Sequence, residues 1–124
     1  MPQVAQYSEA LLKETLASLR KQNFSSIAVI TRTQAQADSL SARLSNVYRL
    51  DGGEADLNYE STDNVVACYH QVKGMEFDAV IVVWPEAELT DDERRRLYTA
   101  CSRALHSVTL LAGGKLIKEL GIVL

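Results

Sequence analysis

Apolar residues recur along this chain with two alternating periods, one helical and one extended. From about residue 6 to 22, Leu12, Leu16 and Leu19 return at helical spacing, which predicts a helix with one buried face. Residues 27–30 form a short β-rich run. Thr33-Gln34-Ala35-Gln36 has the form of a capping box, and Ala37, Leu40 and Leu44 give the next helix one apolar face. Residues 47–50 read as a short strand. The polar stretch 51–63, carrying Gly52 and Gly53, reads as an exposed loop and the most mobile segment. Residues 65–69 and 79–84 are strands, the second apolar on both faces, as a central strand of a helix-covered parallel sheet should be. Thr90-Asp91-Asp92-Glu93 is another capping box, with acids where the helix dipole favours them. That helix is expected to reach about Leu105, with Leu97, Cys101, Ala104 and Leu105 on one side. Residues 108–111 form a last core strand, Gly113-Gly114 a turn and 115–120 a short helix. Strands and helices in this order predict an α/β domain with a largely parallel sheet and helices on both faces.

Composition narrows the classes. A chain of 124 residues without repeats or an interdomain linker is expected to form a single domain, 1–124. Hydrophobic residues at 47% and charged residues at 23% argue against disorder. A net charge of −3 offers no global field for nucleic acid, so such contacts need a local patch. Cys68 and Cys101 lie in apolar elements and fit buried free thiols of a reducing compartment. The start carries no secretory pattern, and the longest apolar run, 79–84, is too short to cross a bilayer. A cytoplasmic protein without membrane contact is expected.

Candidate chemistry gathers where polar residues follow strands. In open α/β sheets ligands sit at the carboxyl ends of strands. Thr31 and Arg32, then His70 through Glu76, follow directly on strand ends and are expected on that edge. Gly74 allows a positive φ or a close approach to a ligand; an ordinary turn glycine is its plainer reading. Glu76 offers two acceptor oxygens for sugar hydroxyls, against a solvated surface acid. Lys73 is a flexible point charge suited to a phosphate. Arg96, Thr99 and Arg103 fall at i, i+3 and i+7, so they are expected to share one helical face. An arginine presented from a helix can reach charge developing on a phosphoryl group. Arg94 and Arg95 read as solvated partners of Asp91 and Glu93, and Tyr98 as core or cleft wall. Cys68, His70, Cys101 and His106 lack the usual paired zinc spacings, and Cys68 beside His70 is weak support for a thiol nucleophile. No metal site is expected.

His70-Gln71-Val72-Lys73-Gly74-Met75-Glu76-Phe77 closely resembles the H-x-x-K-G-L-E-F motif V of UvrD/Rep/PcrA-type superfamily I helicases. Arg96-Leu97-Tyr98-Thr99-Ala100-Cys101-Ser102-Arg103-Ala104 resembles their motif VI, R-L-x-Y-V-A-x-T-R-A. Ile27-Ala28-Val29-Ile30-Thr31-Arg32-Thr33-Gln34-Ala35-Gln36 is similar to their I-A-V-L-x-R-T-x-A-Q segment, and the likeness covers residues 26–112. It implies a RecA-like fold of P-loop NTPase type, here without any G-x-x-x-x-G-K-[ST] phosphate loop. By that resemblance the chain is the second, C-terminal motor domain of an ATP-dependent DNA helicase. Its ATP site is shared with an N-terminal RecA-like domain of the same polypeptide, which holds the phosphate loop and the Mg²⁺; the isolated chain is expected to be inactive and to retain no cofactor. The resemblance makes Arg103 the catalytic arginine at the γ-phosphate, with Gly74 and Glu76 also binding nucleotide, Glu76 at the ribose. Arg32, Thr33, His70 and Lys73 become candidates for contacting single-stranded DNA or coupling to it. Cys68 stands where the family usually has Thr or Ser, which removes a hydroxyl donor to the strand. The alternative is a helicase-like module without turnover, such as one docking on RNA polymerase. The spelling Lys73-Gly74-Met75-Glu76-Phe77-Asp78-Ala79-Val80 hints at the helicase IV-like branch, where such roles occur.

Overall fold

The computed structural model describes residues 3–24, 26–51, 64–85 and 90–119. The loop expected over 51–63 lies outside them apart from Asp51. In chain order the elements are β1 (Gln3–Gln6), α1 (Glu9–Lys21), β2 (Ile27–Thr31), α2 (Gln34–Arg43) and β3 (Val47–Arg49). There follow β4 (Asn64–Cys68), a 3-10 helix (Tyr69–Val72), β5 (Phe77–Trp84), α3 (Asp91–Cys101), β6 (Ala104–Ala112) and α4 (Gly114–Glu119). The described strands form one sheet in the order β1-β6-β5-β2-β4-β3, and every pairing is parallel.

Continuous apolar strands make this sheet because both of its faces are covered. Ile27, Val29, Ala79, Ile81 and Val83 point to one face, where they meet Leu12, Leu16 and Leu19 of α1 and Ala37 and Leu40 of α2. The alternate residues Ala28, Ile30, Val80, Val82 and Trp84 point to the other, against Val72, Leu97, Ala100, Leu116 and Ile117. Each large side chain so buried contributes roughly 1.5–3 kcal/mol. The helix faces follow the expected periodicity, and Thr33 closes a complete capping box with Gln36. α2 and α3 follow the neighbouring strands β2 and β5 yet cover opposite faces. That reversal opens a crevice at the carboxyl ends of these two strands.

Two elements differ from the sequence expectation. β1 replaces the start of the first helix, which begins only at Glu9, capped by Ser8 through the amide of Leu11. Its polar ends carry no strand pattern; parallel pairing to β6 holds it. α3 stops at Cys101 rather than near Leu105, and β6 starts at Ala104 rather than Val108. Phe77 N–H donates to Arg103 O (2.8 Å), and Ala104 pairs with Phe77, so sheet pairing overrides the apolar helical spacing. β6 then takes three steps, Ala104 to Ser107, where β5 takes two, Phe77 to Ala79. This bulge leaves Leu105 54% exposed instead of buried in a helix seam.

Candidate functional site

Because all the strands run the same way, the sheet has one edge of carboxyl ends and one of amino ends. Thr31 of β2 pairs with Cys68 of β4 and Val83 of β5, which places Arg32, Thr33 and His70 on the carboxyl edge. From there the chain crosses the sheet through the 3-10 helix to reach the amino start of β5. Lys73 and Gly74 form a turn, with Met75 N–H donating to Val72 O (3.0 Å), and Glu76 immediately precedes β5. The segment from His70 to Glu76 therefore does not lie on one edge, as its position after a strand suggested. Its ends sit on opposite edges, about 16 Å apart for a five-residue strand.

At the amino edge, Gly74 and Glu76 precede β5, and Arg103 precedes β6. The Phe77–Arg103 backbone bond ties the start of β5 to the turn before β6. Glu76 is exposed. Arg103 lies outside α3, so it does not share a helical face with Arg96, as its spacing suggested; Arg96 sits mid-helix and Arg103 just beyond the C-terminal end. Its Nε donates to Thr99 O (3.2 Å) and its Nη2 to Ser102 Oγ (3.1 Å), which aims the half-buried side chain along the helix end. Gly74 has φ of +81°, and a Cβ there would meet nothing within 4 Å. The glycine is required by conformation rather than by space. Gly74→Ala is expected to cost about 1–2 kcal/mol, read as a lower urea midpoint with an unchanged slope.

The carboxyl edge is organised by a carboxylate. Glu93 is 5% exposed and receives Arg32 through Nε (2.9 Å) and Nη2 (2.8 Å) in a bidentate pair. Arg96 Nη1 donates to the same group at 2.6 Å and Trp84 Nε1 at 3.3 Å. The Arg32 guanidinium first, then Arg96 and Trp84, overcome burial and hold the Glu93 carboxyl down at about 2. Arg32 is raised in turn by Glu93. Beside this cluster, Cys68 Sγ donates to Arg32 O (3.4 Å) and lies 3.0 Å from His70 Nδ1. Gln34 Nε2 lies 3.2 Å from His70 Nε2. A neutral imidazole protonated at Nδ1 satisfies all of these roles: it donates to the thiol and accepts from Gln34. Cys68 is thus turned inward and buried. Arg32, Thr33, Gln34, Cys68, His70 and Arg96 line a cavity of about 410 Å³.

Glu93 was absorbed in the sequence by the capping-box reading. Thr90 Oγ1 does accept from Glu93 N–H (3.2 Å), but the Glu93 side chain turns away from the cap toward Arg32. The available signal is its spacing with Leu97 and Ala100, which puts a carboxylate on the buried face of α3. The surface pair is Arg95 with Asp92 (2.6 Å). Tyr98 is 75% exposed, neither core nor covered wall. Burial pushes the Cys101 thiol up to about 11, which leaves it a poor nucleophile. Among the described residues no three His, Cys, Asp or Glu are grouped to hold a metal ion, and no helix is long and apolar enough to cross a membrane.

An all-parallel sheet covered on both faces, with its polar loops on two opposed edges, defines an α/β domain of RecA-like type. A family model of the UvrD-like helicase C-terminal domain matches residues 66–111. The crystal structure of the C-terminal domain of a possible DNA helicase from Lactobacillus plantarum WCFS1 is 31% identical, with a TM-score of 0.69 over 91% of this chain and 73% of that one. The Hef helicase domain from Pyrococcus furiosus shares the fold, with a TM-score of 0.55 at 20% identity over 90% of this chain and 27% of that one. A comparison with curated proteins returns no match. The chain belongs to the family of UvrD-like helicase C-terminal domains.

Proposed function

We propose that this domain completes the ATP site of a DNA helicase or translocase and contacts single-stranded DNA at its opposite edge. The observation that carries this is the split of the candidate residues. Gly74 and Glu76 lead into β5 and Arg103 into β6 at the amino edge, while Arg32, Thr33 and His70 lie at the carboxyl edge. Separate nucleotide and strand surfaces on one rigid sheet are what a motor domain needs. An N-terminal motor domain would supply the phosphate cradle and hold Mg²⁺. Arg103 would then meet the γ-phosphate, and Glu76 would accept hydrogen bonds from the ribose. Lys73, in the turn leading to β5, suits a nucleotide phosphate better than a strand on the far edge. The described part of this chain has no phosphate cradle, so the purified 124-residue chain is expected to show no ATPase with or without single-stranded DNA. DNA-stimulated turnover by that chain would overturn the reading.

The test of the nucleotide edge is Glu76→Ala in a polypeptide that joins this domain to its N-terminal motor domain. A ribose contact is made equally in ground and transition states, so KM for ATP should rise about tenfold while kcat falls far less. An unchanged KM would remove Glu76 from the site.

A further inference from the structure

We infer that Glu93 is the positioning residue of a phosphodiester-binding site at the carboxyl edge, where it holds Arg32 and Arg96 with their remaining donors turned to the cavity beside His70. The inference rests on the reading that this edge faces single-stranded DNA, and it adds the residue that shapes the site. Glu93 engages Nε and Nη2 of Arg32 and Nη1 of Arg96. Among the described residues, Arg32 Nη1 and Arg96 Nη2 have no hydrogen-bond partner. Both arginines line the 410 Å³ cavity, and their side chains are 33% and 43% exposed, so each keeps part of its surface open to solvent. Two guanidinium groups against one carboxylate leave a local excess of one positive charge in a chain whose net charge is −3. A guanidinium is a planar fork whose donors match phosphate oxygens, but a free arginine side chain has many rotamers to lose on binding. Here that ordering is already done by a buried carboxylate, itself fixed by Trp84 and by the first turn of α3.

Positioning and simple electrostatics predict opposite signs. If Glu93 only neutralised the edge, Glu93→Gln would raise affinity for an anion by leaving two unpaired arginines. If it positions them, the isosteric amide lowers affinity because it cannot receive both guanidinium groups. The experiment is fluorescence anisotropy of labelled dT12 with the 124-residue chain across a salt series. The wild-type chain should bind weakly and lose affinity as salt rises. Glu93→Gln should weaken binding about fivefold to tenfold, and Arg96→Lys, which keeps the charge but not the fork, by a similar factor. Circular dichroism checks that each variant is folded; if Glu93→Gln is not, the half-exposed Arg96→Lys decides. Unchanged or tighter binding by folded variants overturns the inference while leaving the nucleic-acid reading standing. No binding of dT12 by the wild-type chain overturns both. Unlabelled ATP distinguishes the source of phosphate: competition with dT12 at equal phosphate concentration would overturn the assignment to a strand.

Discussion

Arg103→Ala, in a polypeptide that carries this domain with its N-terminal motor domain, is expected to lower kcat by about 10³-fold. The melting temperature should move by no more than a few degrees. The second half of that expectation comes from the structure. Among the described residues the Arg103 side chain bonds only to Thr99 O and Ser102 Oγ at the helix end, and a part-exposed contact of this kind contributes about 1 kcal/mol or less. What the fold needs from this position is the backbone carbonyl that accepts from Phe77, and alanine keeps it. The first half follows from where the charge would act. A guanidinium reaching the γ-phosphate in the closed two-domain state works mainly as charge shifts in the transition state, so its loss appears in kcat more than in ATP binding. Steady-state kinetics and a thermal melt on the same preparation check both halves. Near-normal turnover, or an unfolded domain, would each end the assignment.

Acidification from pH 5 to pH 2 is expected to remove about 3 kcal/mol of stability through Glu93 alone. Its carboxyl is held down from 4.5 to about 2, chiefly by Arg32. A depressed acid stabilises the fold at pH values above its unfolded value, and the contribution is lost as pH falls through the folded one. The loss therefore begins below about pH 5. Glu93→Ala should show the same deficit already at pH 7, because it leaves the Arg32 and Trp84 donors without their acceptor. A cost of about 3 kcal/mol, or roughly 10 °C in melting temperature, fits a pair whose arginines are partly solvated. Between pH 5 and pH 2 the variant should then lose less stability than the wild type. Urea titrations at several pH values make the comparison. Parallel curves for the two proteins would mean that Glu93 is not the group being titrated.

Much of the fold was legible because its elements are long and their periods clean. Leu12, Leu16 and Leu19 define α1 without help, and the run 79–84 is a buried parallel strand on sight. β1 was not legible, since an edge strand with only Val4 and Ala5 as apolar residues is specified by its partner rather than by its own pattern. The end of α3 was misplaced because Ala104 and Leu105 continue the apolar helical spacing, whereas pairing with Phe77 decides their conformation. The two edges could not be told apart from sequence adjacency. His70 and Glu76 are six positions apart in the chain, and nothing local announces that the segment between them crosses a sheet. The motif residues themselves were found by resemblance. Their division between two surfaces came only from the strand register, and the buried role of Glu93 from its side-chain partners.

The parallel pairing of β1 with β6 sets the order in which this fold can be completed. Gln3 meets Thr109, so β1 must wait about a hundred residues for its partner. During synthesis it can dock only through loops of high closure entropy, and such long-range parallel contacts are slow to form. Until β1 docks, the outer side of β6 is an unpaired edge, open to wrong partners in another molecule. The few residues with the weakest sequence signal are thus the ones that seal the sheet, and whatever precedes them in the polypeptide must leave them free to arrive last.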